Sequence, residues 1–132
     1  MTPVWLSLDI VLAVHTESIR QYGGLDGLRD EGLLLSALGK PQNIYQYESQ
    51  DIFDLAAAYG FGIAKNHAFI DGNKRTALAS MAVFLGLNRY IFCAPEPRTI
   101  GFVINFSSGR QTKTSVSEWL RKHSLQEVCE DN

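Results

Sequence analysis

Residues 67–78 read HAFIDGNKRTAL, from His67 to Leu78, and the fold turns on what flanks them. Upstream, Ile52, Leu55, Ala56, Tyr59 and Ile63 share one face at helical spacing, so a helix is expected from near Asp51 to about Asn66, with Asp54 in its first turn. Downstream, Ala77, Leu78, Met81, Ala82 and Leu85 repeat the pattern and predict a second helix to about Asn88. The upstream helix is also lined with Ala56, Ala57, Ala58, Gly60, Gly62 and Ala64, which let neighbouring backbones approach closely. Two central, buried helices joined by a loop over His67–Gly72 follow from this pattern.

Working outward, Leu8, Val11, Leu12, Ile19 and Tyr22 predict a first helix, stopped by Gly23 and Gly24. His15 lies on the same stripe and reads as a core histidine. Asp30 is a plausible N-cap for a helix through Leu33, Leu34 and Leu38, which Gly39 and Pro41 should end, leaving a polar loop from Pro41 to Gln50. Arg89 to Ala94 alternates weakly and reads as a short extended piece, and Pro95 and Pro97 mark a turn before a helix through Ile100, Val103, Ile104 and Phe106. Ser115 and Glu118 have capping-box spacing ahead of a last helix of two or three turns, followed by a polar, acidic tail. The sum is an all-α domain of about six helices spanning 1–132.

Composition narrows the function classes. With 45% hydrophobic and 20% charged residues the chain can build one core, and disorder is excluded. Twelve Lys and Arg against fourteen Asp and Glu give a formal charge of −2, which speaks against a nucleic-acid coat or a polybasic membrane binder. No apolar run approaches the roughly 20 residues of a bilayer span and no secretory leader is recognisable, so a cytoplasmic protein is expected. Cys93 and Cys129 have no CxxC or His neighbours and read as free thiols.

The chemistry gathers in the loop. Asn73 reads as an N-cap, and Gly72 suits a positive φ or a close approach to a ligand, so the N–H groups of Lys74, Arg75 and Thr76 should face outward unpaired. Cations in a first helical turn oppose the macrodipole, which a bound phosphate chain would reverse; Arg75 can bind two oxygens and Lys74 supplies a mobile point charge. A carboxylate beside such a site repels its ligand unless a divalent cation intervenes, which assigns Asp71 to Mg²⁺. His67 can take a proton from a hydroxyl as a general base, and Phe69 reads as a plug into the core. Singly, each residue has an ordinary explanation as turn, solvated pair or helix end; their concurrence in one loop favours a polyphosphate site.

The run HAFIDGNKRTAL resembles the core motif of the Fic/Doc family, written HPFx(D/E)GNxR, and most closely its Doc branch, the toxins of Phd/Doc-type toxin–antitoxin modules. The likeness extends upstream through GGLDGLRDEGLLLSALGKPQ and DIFDLAAAYGFGIAKNHAF, covering about Leu8 to Leu87 well and the C-terminal third weakly. It implies a compact helical fold with His67 as general base, Asp71 as Mg²⁺ ligand, and Gly72, Asn73, Lys74 and Arg75 as the ATP phosphate-binding set.

Three departures from the Fic pattern bear on the reaction: Ala68 replaces proline, Lys74 replaces the second glycine, and Leu78 stands where adenylyltransferases carry a second arginine. Lys74 with Leu78 resembles the Doc-like kinases, which transfer the γ-phosphate of ATP, more than the enzymes that transfer AMP. The resemblance then implies a hydroxyl of a translation factor, elongation factor Tu, as substrate, and translation arrest as outcome. Self-inhibiting Fic proteins carry an [S/T]xxxE[G/N] motif that has no counterpart in this sequence, so inhibition is expected in trans from a Phd-like antitoxin, which would also supply DNA binding. The competing readings are adenylylation by the same His67 and Asp71, and a catalytically silent partner-binding module.

Overall fold

The computed structural model describes residues 2–93 and 112–126. Among them run helices α1 (Leu8–Tyr22), α2 (Glu31–Tyr47), α3 (Ile52–Asn66) and α4 (Asn73–Leu87), strand β1 (Tyr90–Phe92), helix α5 (Lys113–Lys122) and strand β2 (Ser124–Gln126). The chain is helical, as its pattern predicts, with one small addition. β1 and β2 pair antiparallel, Ile91 opposite Leu125, so part of the expected polar tail is a strand. The helix expected at Ile100–Phe106 and the thiol of Cys129 lie outside the described residues; Cys93 is a free, exposed thiol.

Helix α3 is the centre. Phe53 and every residue from Leu55 to Ala64 is buried, because α2, α4 and α5 all pack on it. Its small residues permit this. A Cβ on Gly62 would stand 3.0 Å from the Ala37 Cβ of α2, and one on Gly60 would enter the Met81 side chain of α4, so both glycines mark helix crossings that a larger residue would push apart. Asp54 then ties α5 to this helix, its two carboxylate oxygens accepting from the hydroxyls of Ser49 and Ser117 at 2.6 Å each. Asp51, the N-cap of α3, pairs with Arg121.

Two boundaries differ from the sequence reading. Helix α2 does not stop at Gly39 and Pro41 but continues to Tyr47, with Pro41 buried inside it. A proline forfeits one backbone bond to the residue four earlier, here Ala37, and ordinarily costs about 3 kcal/mol. That loss is offset because Ile44 and Tyr45, one turn further on, pack against the core, and the expected loop from Pro41 to Gln50 shrinks to its last residues. The last helix is capped not by Ser115 and Glu118 but one turn earlier, by a reciprocal box in which Thr112 accepts from the Ser115 N–H and Ser115 accepts from the Thr112 N–H.

Tyr59 is fully buried on α3, and its hydroxyl accepts from the Leu6 N–H at 3.1 Å, which closes the N-terminal segment onto the core. Burial pushes its phenol up to about 12, from an ordinary value of 10.0. The unfolded chain therefore ionises first. Stability contributed by this residue is complete below about pH 10 and is lost as pH rises through about 12, by roughly 1.4 kcal/mol per pH unit between. In urea titrations at pH 9 to 12, wild-type stability is expected to fall more steeply than that of Tyr59→Phe; parallel curves would refute the assignment.

Candidate active site

The loop between α3 and α4 is built by its ends. Helix α3 stops at His67, which adopts a left-handed conformation (φ 49°, ψ 46°) and turns the chain away from the helix axis. Helix α4 starts after Gly72, also left-handed at φ 77°, a conformation glycine takes without cost. Its first intrahelical bond runs from the Thr76 N–H to the Gly72 carbonyl, so the N–H groups of Asn73, Lys74 and Arg75 precede the ladder, and no side chain caps them. Gly72 is thus the cap residue, not Asn73.

Asn73 is instead turned inward. It is buried, accepting from the Phe69 N–H at 3.1 Å and donating to the Phe69 carbonyl at 2.9 Å, so its amide closes the loop upon itself. Its side chain is engaged in that bond pair, and its main-chain N–H is among the amides that precede the helical ladder. Phe69 is buried as expected, and Ala68 beside it is buried too.

A second segment braces this loop from outside. Residues 23–30, between α1 and α2, run antiparallel to it: Arg29 and Asp30 N–H groups donate to the Ala68 carbonyl, the Ile70 N–H donates to the Gly27 carbonyl, and Leu28 faces Phe69 as a β-bridge. The Arg29 guanidinium reaches the His67 carbonyl through Nε (3.1 Å) and Nη2 (2.5 Å), anchoring the backbone of His67 while its side chain stays exposed. Asp71 is held by main-chain donors. Its Oδ1 accepts from the Gly72 N–H at 2.9 Å and its Oδ2 from the Leu25 N–H at 3.2 Å. A larger residue at Gly24 would displace the Asp71 carboxylate, since a Cβ would stand 2.7 Å from Oδ2, and the φ of 116° there favours glycine as well.

These residues share one cleft of about 540 Å³, lined by His67, Asp71, Gly72, Asn73, Lys74 and Arg75 on one side and by Tyr22, Gly23 and Gly24 on the other. All six site residues expected from sequence line it. Arg75 rests on the Tyr22 ring, its Cζ 4.8 Å from the centroid, with Nη1 3.5 Å from the Tyr22 carbonyl. Leu78 is half-buried against the core, leaving Lys74 and Arg75 as the cations of the cleft among the described residues.

The donor set suits a magnesium-bound polyphosphate. No cluster of three His, Cys, Asp or Glu side chains among the described residues could hold a metal unaided. Magnesium does not need one, because it binds through one or two carboxylates with phosphate oxygens and waters completing the octahedron. Each Asp71 oxygen accepts one main-chain bond and keeps a lone pair for such a contact. Sequence reasoning assigned no role to the supporting residues Leu25 and Arg29: Leu25 acts through its main-chain N–H, for which residue identity is a weak signal, and the Arg29 guanidinium reaches a main-chain carbonyl that only the fold brings near it.

Comparison with known proteins places the chain in a family. A model described as the Fic/DOC family matches residues 5–85. The chain is 34% identical over 119 residues to "Protein kinase doc" of Escherichia phage P1, covering 89% of this chain and 93% of that protein. It is 44% identical over 69 residues to "Toxin Doc" of Mycolicibacterium smegmatis, covering 51% of this chain and 53% of that one. With the helical fold and the loop geometry in place, the chain belongs to the Fic/Doc family, as a Doc-type member.

Proposed function

We propose that this protein is the toxin of a toxin–antitoxin pair and acts as a protein kinase, transferring the γ-phosphate of ATP to a hydroxyl of a translation factor, with elongation factor Tu as the expected target. The observation that carries the reading is the cleft in which His67 and Asp71 stand beside the unladdered amides of α4 and the side chains of Lys74 and Arg75. Support for kinase chemistry comes from the phage P1 relative, which is named a protein kinase. Arrest of translation and inhibition by a Phd-like antitoxin in trans complete the proposal. The toxin name of the mycobacterial relative supports that part.

The steps follow from the residues. His67 accepts the proton of the substrate hydroxyl as its oxygen attacks the γ-phosphorus; the bond between that phosphorus and the β,γ-bridging oxygen breaks, and ADP leaves. Arg75, Lys74 and the amides of Asn73 to Arg75 orient the phosphates and stabilise the charge spread over their oxygens. A magnesium ion held by Asp71 would neutralise phosphate charge and draw electron density from the transferring group. His67 is suited to its part because it is exposed on a fixed backbone, with its carbonyl anchored by Arg29.

Incubation with elongation factor Tu and ATP labelled at either the γ or the α position tests the proposal. Label is expected on the protein from γ-labelled ATP alone, and to require Mg²⁺. Transfer from the α position alone would overturn the kinase reading in favour of adenylylation. Growth arrest that persists in both His67→Ala and Asp71→Ala would point instead to a silent binding module.

A further inference from the structure

His15 lies on α1, distant in sequence from the loop, and is 2% exposed. Its ring stacks on Phe69 with centroids 3.8 Å apart and planes 8° from parallel. Its edge meets the same loop again, with Nε2 2.8 Å from the carbonyl oxygen of Asp71. A carbonyl only accepts, so Nε2 carries the proton and donates. One ring therefore holds the loop at two points, two residues apart. The ring also forms the floor beneath Gly72, where an added Cβ would stand 3.7 Å from His15 Nε2.

The consequence runs through one peptide plane. The carbonyl of Asp71 and the N–H of Gly72 belong to the same trans peptide unit and point in opposite directions. With the carbonyl drawn down toward α1 by His15, the Gly72 N–H faces the other way. There it donates to Asp71 Oδ1 at 2.9 Å. We propose that His15 is a positioning residue for the reaction: through the Asp71–Gly72 peptide plane it sets the orientation in which the Asp71 carboxylate is presented to the metal. The inference rests on the reading of Asp71 as the Mg²⁺ ligand and adds a residue that touches neither metal nor nucleotide. His15 is then more than the core histidine its place on the buried stripe implies.

The test separates positioning from packing. His15→Phe keeps an aromatic ring on Phe69 and deletes the donor; His15→Gln restores an N–H donor at the reach of Nε2. Mn²⁺ binding in the presence of ADP is read by electron paramagnetic resonance, and phosphotransfer is followed against Mg²⁺ concentration, with Tm as the control for folding. Outer-shell partners of metal ligands are worth roughly 10- to 100-fold in affinity. His15→Phe is expected to weaken Mn²⁺ binding and raise the Mg²⁺ half-saturation within that range at little change in Tm, and His15→Gln to recover most of the loss. His15→Met, also without a donor, carries the same test if the Phe variant is too unstable to assay. Mn²⁺ affinity within twofold of wild type in the donor-less variant, while Asp71→Asn abolishes binding, would overturn the positioning role alone. Unchanged binding in Asp71→Asn would overturn the metal assignment and this inference with it.

Discussion

Replacing His67 with alanine is expected to lower phosphotransfer by about 10² to 10⁴-fold, the range typical for loss of a general base, and to abolish growth arrest on expression. The fold should survive. The imidazole is exposed, and the anchors of this position are main-chain ones: the His67 carbonyl bound by Arg29 and the Ala68 carbonyl bound by two N–H groups. The left-handed backbone at φ 49° costs alanine about 1 kcal/mol, and His67→Asn, which tolerates that conformation better, controls for it. Because the proposed mechanism assigns the phosphate contacts to other residues, the loss should fall on kcat with KM for ATP little changed. A variant of unaltered circular dichroism that keeps more than about a tenth of wild-type turnover, well short of the expected loss, would show that His67 is not the base.

Asn73→Ala is expected to affect stability and activity together. Its amide satisfies both the N–H and the carbonyl of Phe69 in a buried setting. Deletion leaves two buried main-chain groups without their partner, at about 1 to 3 kcal/mol each. A combined loss of about 2 to 6 kcal/mol corresponds to a fall in Tm on the order of 10 °C or more for a chain of this size. Since Phe69 also carries the stack with His15, the loop that holds Asp71 should loosen, and turnover should fall even at temperatures where the protein remains folded. Calorimetry decides the first part. A Tm within about 2 °C of wild type, small beside the expected shift, would mean that the amide contributes little beyond its exposed alternatives.

These two residues also mark where the sequence is legible and where it is not. His67 and Asp71 are polar groups in a loop between two periodic segments, and their residue types announce their chemistry. Asn73 looks like an N-cap by the same local rules, because Asn before a helical run usually serves that purpose. The cap geometry went to Gly72, whose left-handed backbone starts α4 one residue earlier and frees the Asn73 amide to turn inward. Pro41 shows the same limit in a helix. Its local cost is real, yet packing of Ile44 and Tyr45 on the core outweighs it.

The sequence by itself determined the helical class, the central helices α3 and α4 with the small residues that let their neighbours approach, and the six site residues from His67 to Arg75 that line one side of the cleft. Those properties depend on periodicity and on chemical type, which are local. Only the tertiary structure decided how that set is held. It brought His15 of α1 beneath Asp71, laid residues 23–30 along the loop so that Arg29 grips the His67 carbonyl and the Leu25 N–H meets Asp71, and set Arg75 on Tyr22. The reason is physical. A backbone donor or a buried ring exerts its effect through distance and direction, and in this fold those are fixed by helices packed across long separations in the chain.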